Sequence, residues 1–581
     1  MPAKPSGEIK TITVRVRQKN GDIYVVERRT IYDPLKKRNR ILSSKLLSKI
    51  PKNSEIEVPT RPKRPKSEDP EQKNEIVKAS RKHTGMMDII AHIGETSGID
   101  DAIYGATDRG TAQKIISLAR YLLATNGQSL PGIQTWQYNH PIPYEDGITE
   151  DVYHDLFRQI GLDESLQQSF FKARCDMLSA GDAIAYDSTT ISTYSGNQNE
   201  ARNGFNKAGD GLKTVKLLTL YSIDKRQPVA FTKQPGNLPD VTSITNAVKQ
   251  LTSLGVNTSE LVTDNGYYSE KNLAELYLAG FGFITLAKNS VGWIRPEIDK
   301  AMKELHDFQS ICPYDTTTHG VCVKVIHGFE KVRKYDNHKS GAEKGSAEIF
   351  TRKVYLNIYY NQARQTADKE AFDADLFSLK NEVESGTSTD DLSEEAQAKI
   401  RKYFTIKRWG KKVTAVPNNK AIEEVNKYHG YFVLVSNREK DPFECLRKYR
   451  KRETIESFFE SEKQHADGMR TRVWYADTLR GRMFVQFVSL CYYEYLNEEL
   501  RRLKETLGVE TGDPKHDKKE NIKNELSLKS WIKNTPLYLQ LQWFDAVENV
   551  NVSVKLKNRR WTTEITKRDA LYLEKLGVVL T

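Results

Sequence analysis

The chain of 581 residues is poor in the features that mark several protein classes. Its five cysteines, Cys175, Cys312, Cys322, Cys445 and Cys491, include no C-x-x-C pair, which excludes the usual structural zinc motifs. Their odd number and wide spacing point to reduced thiols in a reducing compartment. No run of eighteen apolar residues occurs, so no membrane span is expected. The opening MPAKPSGEIKTITV has no apolar stretch of the kind a secretory signal needs, which leaves a cytoplasmic location. The eleven histidines show no metal-ligand spacing, and there are no internal repeats.

What is present is a globular mixture, 38% hydrophobic and 29% charged. The length exceeds what one compact core supports, so roughly three or four domains are expected. With 89 Lys and Arg against 77 Asp and Glu, the formal charge is +12. A surplus of that sign favours a polyanionic partner through counterion release, although many basic enzymes share it.

The pattern along the chain is uneven. Ile12, Val14 and Val16 alternate with polar residues, Asn20-Gly21 is a tight-turn signal, and Ile23 to Val26 resumes the alternation. A β-hairpin over 11–32 follows, with 36–49 either a third strand or a helix. We divide the chain into an N-terminal β region (1–60), a Pro- and Lys-rich linker (61–84) and a helical domain (85–180). The first part of an α/β core follows (181–289), then a β-rich insertion (290–436) with an acidic loop near 384–395. Two long helices, 441–466 and 478–505, complete the core within 437–508; a charged linker (509–525) and a C-terminal unit (526–581) end the chain. Within 181–289, three antiparallel strands lead into strand–helix alternation, an order that suits a mixed sheet with helices on its faces.

Three acidic positions stand out. Asp187 closes the apolar run DAIAY; Asp264 ends the strand ELVT and precedes Asn265-Gly266. Carboxyl ends of strands in open α/β sheets collect ligands, but Asp-Asn-Gly is also ordinary turn chemistry. The third element is YRKRETIESFFESEK (449–463). On one continuous helix Tyr449, Arg452, Glu456 and Lys463 fall on one face, with Ile455, Phe458 and Phe459 opposite. Glu453 and Glu460 lie near that polar face too, so periodicity alone does not choose among the glutamates, and solvated charge pairs on an amphipathic helix give the same pattern.

The spacing Y-x2-R-x3-E-x6-K resembles the signature of the insertion-sequence-four group of DDE transposases. That group also carries a D-x-T strand and a D-N-G-Y-type strand end upstream, matched here by Asp187-Ser188-Thr189 and Asp264-Asn265-Gly266-Tyr267. The resemblance spans about residues 85–505. It implies a ribonuclease-H-like catalytic core interrupted by the β-rich insertion, which accounts for the 191 residues between Asp264 and Glu456. It selects Glu456 and implies that Asp187, Asp264 and Glu456 hold two Mg²⁺ (or Mn²⁺) ions. Tyr449, Arg452 and Lys463 would grip DNA phosphates, and Trp293, with Trp409 as the alternative, would stack a flipped base. The implied partners are transposon-end DNA with terminal inverted repeats, target DNA and a second copy of the chain in a paired-end complex. The implied setting is the prokaryotic nucleoid, and the implied route is cut-and-paste transposition through a hairpin.

Overall fold

In the computed structural model the described residues are 8–33, 36–59, 76–204, 206–257, 259–333, 343–385, 391–409, 412–465, 468, 470–510, 512, 517–554 and 557–581. The chain divides into two compact units, one of residues 1–80 with 551–559, the other of residues 81–550 with 560–581.

The first unit holds an antiparallel sheet of β1 (Lys10–Arg17), β2 (Ile23–Asp33), β3 (Arg38–Ile50) and β4 (Val58–Pro59), in that order. The Asn20-Gly21 turn joins β1 to β2, and Gly21 takes φ +93°, a left-handed conformation that glycine adopts freely. The stretch 36–49 therefore resolves as strand. Linker residues 61–75 lie outside the described residues. Ile76–His83, assigned by the sequence to the same linker, is a strand (β5).

The second unit is built on one nine-stranded sheet. Its strands are β6 (Ala183–Thr193), β7 (Lys213–Ser222), β8 (Gln227–Pro235), β9 (Glu260–Thr263), β10 (Gly282–Ala287), β11 (Ile311–Cys312), β12 (Asp315–Val332) and β13 (Ala347–Asn361). The hairpin of β14 (Phe404–Trp409) and β15 (Lys412–Pro417) stands outside it, and β16 (Tyr431–Ser436) completes it. The order across the sheet is β11-β12-β13-β16-β10-β9-β6-β7-β8. β6, β7 and β8 form an antiparallel meander; β9 and β10 run parallel to β6. β6 is buried at every position, as a strand flanked on both sides and covered on both faces must be.

This sheet corrects the reading of 290–436 as a β-rich insertion. The strand-like runs in that stretch do not make a domain of their own. β12, β13 and β16 hydrogen-bond into the core sheet, with Tyr355–Tyr360 of β13 paired to Tyr431–Ser436. What stands apart is 362–426: helices Gln362–Glu384, Glu394–Tyr403 and Asn419–Asn426 with the β14–β15 hairpin. These close a small core around Leu376, Leu379, Val383, Ile400, Tyr403 and Phe404. Apolar β-branched runs mark strands but carry no information about which strands they pair with. Part of the acidic stretch, 386–390, lies outside the described residues.

The helical domain (85–180) and residues 526–550 and 560–581 belong to the same unit as the sheet. Ile115, Phe157, Phe170, Leu528, Phe544 and Tyr572 all join one continuous hydrophobic core with the strands. A separate C-terminal unit is thus corrected: its helices Lys519–Asn534, Leu537–Phe544 and Lys567–Leu576 bury apolar stripes against the rest. Of the linker 509–525, residues 511 and 513–516 lie outside the described residues, and 519–525 already belong to the first of these helices.

The central support is the helix Ala476–Thr506, which packs on β8 and on helices Glu150–Leu162 and Arg109–Ala124. It meets Glu150–Leu162 backbone to backbone through two glycines. A Cβ on Gly481 would stand 1.9 Å from the Phe157 carbonyl oxygen, and one on Gly161 would stand 1.9 Å from that of Asp477. Gly481→Ala therefore gains about 1 kcal/mol of helix propensity and loses more to overpacking. A net loss of at least about 2 kcal/mol is expected in urea unfolding. Gly105→Ala, in the helix Ile99–Ala106 with nothing within 4 Å, is the control and should be neutral or stabilising.

Candidate active site

Register brings the first two acids together. β9 runs parallel to β6, and the last paired residues are Ala185 and Val262. Two residues further along each strand stand Asp187 and Asp264. Adjacent strands lie about 4.8 Å apart, so the two carboxylates flank each other where β9 ends and β6 runs on. Asp264 caps the short turn Asn265–Tyr267, its Oδ1 accepting from the Gly266 N–H at 2.9 Å. Asp187 Oδ1 accepts from the Ser188 N–H at 2.7 Å.

The third acid arrives on a broken helix. The segment read as one helix, 441–466, is two, Pro442–Lys451 and Glu453–His465. Across the break the hydrogen bonds tighten to three-residue steps, Arg452 N–H to the Tyr449 carbonyl and Ile455 N–H to the Arg452 carbonyl. The single continuous face proposed for Tyr449, Arg452, Glu456 and Lys463 is corrected accordingly. The tightened turn directs Arg452 inward, where its side chain is only 11% exposed. Its Nη1 donates to Asp187 Oδ2 at 2.9 Å and its Nη2 to Glu456 Oε1 at 2.8 Å. One guanidinium thus holds two carboxylates that are 269 positions apart in sequence (456 − 187).

This geometry separates the three glutamates. Glu456 shares Arg452 with Asp187. Glu460 accepts from Gln464 and lines a different pocket with Tyr221 and Glu494. Glu453 is exposed at the start of its helix. Tyr449 belongs to the site: the Arg452 guanidinium lies 5.6 Å from its ring centre, and the Asp264 charge helps raise its pKa, after burial. Among the described residues, no hydrogen bond or ion pair joins Lys463 to the three acids. Trp293 stacks on His327, ring centres 4.1 Å apart, while Trp409 at the end of β14 is 78% exposed.

A family model described as a transposase DDE domain matches residues 179–492, more than half of the chain. The chain belongs to this family. It is a DNA transposase. The matched span runs from just before β6 into the helix Ala476–Thr506 and contains all three acids. Comparison with curated proteins finds no match. Among solved structures the chain is similar to a piggyBac transposase in a synaptic complex with hairpin DNA, at 8% identity over 79% of this chain and 81% of that one. The TM-score is 0.33, too slight a likeness to argue from.

Several groups of the transposase site carried no sequence signal. Asp240 lies beside Asp264: a Cβ on Gly266 would stand 3.2 Å from Asp264 Oδ1 and 3.9 Å from Asp240 Oδ2. Asp240 Oδ1 accepts from Ser188 Oγ at 2.9 Å and from Lys216 Nζ at 2.8 Å. Lys207 Nζ donates to the Ser188 carbonyl at 2.7 Å and adds positive charge near Asp187. Position just before a helix was the one available hint for Asp240, and it is shared by many N-terminal aspartates.

DDE transposase domains use divalent metal ions in general, and the donor set here fits hard cations. All three candidate ligands are carboxylates, and burial holds the Asp187 carboxyl above its ordinary pKa despite the opposing pull of Arg452 and Lys207. Burial thus outweighs the Arg452 ion pair and the nearby Lys207 charge at Asp187. The three are not yet gathered as closely as ligands of one ion. Among the described residues, the group whose ligand atoms all lie within 4.8 Å of one another is His83, His140 and Asp545, elsewhere in the molecule.

The raised pKa of Asp187 fixes a sign. A carboxyl whose folded pKa exceeds its unfolded value destabilises the fold above the folded pKa. That cost disappears as pH falls through the folded pKa toward about 3.9. Asp187→Asn also removes the Arg452 ion pair, so its offset from the parent is not fixed by this shift, but in metal-free buffer the variant should gain on the parent in denaturant midpoint as pH rises from about 4 to neutrality. A variant that loses ground to the parent over that rise would contradict this account of the site.

Proposed function

We propose that this transposase excises an insertion sequence at its terminal inverted repeats and joins the freed 3′-OH ends to target DNA, with Asp187, Asp264 and Glu456 as the ligands of two Mg²⁺ or Mn²⁺ ions. The observation that carries the proposal is the shared guanidinium of Arg452, which selects Glu456 from its neighbours and sets it against Asp187. The strand order β8-β7-β6-β9-β10, with β7 antiparallel to the other central strands, supports a ribonuclease-H-like core. Asp264 follows the end of β9, where such a sheet collects ligands, and Asp187 lies beside it, part-way along β6 rather than at its end. The Y-R-E-K spacing supports membership of the insertion-sequence-four group.

When bound, the two cations supply an activated nucleophile and relief of charge on the phosphate and the leaving oxygen. The chain's own side chains do the rest. Asp187 and Asp264 present oxygen ligands from adjacent strands, rigid by backbone pairing. Arg452 lies between Asp187 and Glu456, placed to pass from carboxylates to a DNA phosphate, which its planar fork grips through two oxygens. Tyr449 packs under that guanidinium and holds its plane. Lys463 acts as a point charge farther along the strand of DNA.

In the proposed sequence, water attacks the phosphodiester at the element end and releases a 3′-OH. That 3′-OH attacks the opposite strand, closing a hairpin; a second water opens it, and the 3′-OH then attacks target DNA. A base flipped from the bent end stacks on Trp293 or on the exposed Trp409. The Arg- and Lys-bearing strands of the N-terminal unit, with Arg15, Arg17, Arg28 and Arg40, contact end DNA through phosphates. Two copies act on paired ends in the prokaryotic cytoplasm, at the nucleoid.

Asp187→Ala, Asp264→Ala and Glu456→Ala should each abolish cleavage of a labelled terminal-repeat duplex in Mg²⁺ and leave end binding intact, since binding is spread over many basic groups. Cleavage at the parental rate by Glu456→Ala, with Glu453 or Glu460 essential instead, would sink the assignment.

Arg452→Ala should slow cleavage and hairpin formation about ten- to a hundredfold, the worth of a charged hydrogen bond of about 1.5–3 kcal/mol. Lys463→Ala should slow the same steps, with Lys463→Arg recovering only part. Lys451→Ala, at an exposed position beside the helix break, is the control. Equal damage from Lys451→Ala in a single-turnover assay would remove Arg452 from the proposed chemistry.

A further inference from the structure

Far from the three acids in sequence, the transposase gathers a second cluster of ligand-type side chains. His83 stands at the end of β5, His140 follows the short helix Ile133–Trp136, and Asp545 follows the helix Leu537–Phe544. One ligand atom from each lies within 4.8 Å of the other two. The surrounding backbone is laced together: His83 N–H donates to the Asn139 carbonyl at 2.7 Å, and the N–H groups of Thr84 and Gly85 both donate to the Val547 carbonyl. A Cβ on Gly85 would stand 2.5 Å from Val547 Cβ, so these segments meet too closely to slide.

The hydrogen bonds of the two imidazoles have the form of a metal site. His83 Nδ1 donates to the Asp545 carbonyl at 2.7 Å, and His140 Nδ1 donates to the Trp136 carbonyl at 2.8 Å. Metal-binding histidines characteristically donate one ring N–H to a carbonyl or carboxylate, which fixes the tautomer and aims the other nitrogen. Here Nε2 is the nitrogen each ring has left. His140 Nε2 faces Asp545 Oδ1 at 2.8 Å, and His83 Nε2 faces Glu548 Oε1 at 3.8 Å. The other oxygen of Glu548 leans on Arg81 at 3.5 Å, leaving Oε1 toward the histidine. Stacking holds the rings: Trp136 lies on His140 at 4.0 Å and 5°, and His140 lies near His83 at 5.1 Å and 24°. The Asp545 side chain is 36% exposed, which gives an ion a way in.

We propose that His83, His140 and Asp545, with Glu548 as fourth ligand, bind one Zn²⁺ or similar imidazole-preferring cation, separate from the ions of the catalytic acids. Two imidazoles and two carboxylates make a tetrahedral N₂O₂ set, and imidazole ligands favour zinc over magnesium. Metal–ligand bonds near 2.0 Å set ligand atoms about 3.3 Å apart in a tetrahedron, a spacing between the 2.8 Å from His140 Nε2 to Asp545 Oδ1 and the 3.8 Å from His83 Nε2 to Glu548 Oε1. The ion takes the place of the proton between His140 Nε2 and Asp545, and uptake releases that proton to solvent. Its role is structural: it ties residues 545–548, near the C-terminal end, to the segments around 83 and 140.

The test uses the full chain, stripped of metal, titrated with Co²⁺ in excess Mg²⁺ so that the catalytic carboxylates are occupied. One equivalent should give the strong visible bands of tetrahedral cobalt, and Zn²⁺ should displace it with a rise in the thermal unfolding midpoint. Asp545→Asn, which keeps the shape and a hydrogen bond to His140, and His83→Gln should each weaken Co²⁺ binding about a hundredfold, no less than the loss of an outer-shell partner. The absence of saturable bands, bands of octahedral intensity, or bands that survive both substitutions would overturn the site. Because Asp187, Asp264 and Glu456 are untouched, neither result bears on the DNA chemistry proposed for them.

Discussion

The structure around Asp187, Asp264 and Glu456 turns on one guanidinium. Asp187 is buried in the middle of a sheet, where an unpaired carboxylate costs several kcal/mol. Arg452 meets that charge, and because its second nitrogen reaches Glu456, the same side chain ties the last helices to the central strands. The arrangement has consequences for local backbone geometry. The helix Pro442–Lys451 gives way to Glu453–His465 at Arg452, through a tightened turn between Tyr449 and Ile455.

The second constraint is the sheet that carries the acids. β6 pairs on one side with an antiparallel partner along its length and on the other with β9 only as far as Ala185. Beyond that point β6 keeps β7 but has lost β9, and the gap where β9 has ended is where Asp187, Asp264 and Arg452 meet. In the adjoining space Asp240 accepts from both Ser188 and Lys216, which fixes its carboxylate. Rigid placement of this sort is what phosphoryl transfer needs, since the chemistry is mostly positioning and charge.

Much of this was legible in the residues. Alternation and Asn-Gly marked the N-terminal hairpin, whose Gly21 lies in the left-handed region. The apolar runs ending in Asp187 and Asp264 marked strands because a buried strand leaves little choice of side chain. The spacing from Tyr449 to Lys463 carried the transposase reading, and the family match over 179–492 agrees with that reading.

Local pattern determined which segments were strand or helix, since hydrophobic period and capping depend on neighbours a few residues away. Partners at long range were beyond it. The apolar strands of 311–361 looked like a separate β-domain, yet they extend the core sheet, because backbone hydrogen bonds do not record sequence distance. Periodicity left Glu453, Glu456 and Glu460 equivalent, and that Glu456 shares Arg452 with Asp187 depends on the path of one arginine side chain through a break in a helix. His83, His140 and Asp545 have no spacing to notice, being separated by 57 and 405 positions (140 − 83 and 545 − 140), and only packing of the two ends of the unit makes them neighbours. Sequence alone determined the elements and the chemical types available; tertiary structure decided which charges meet, because burial and Coulomb attraction act through space.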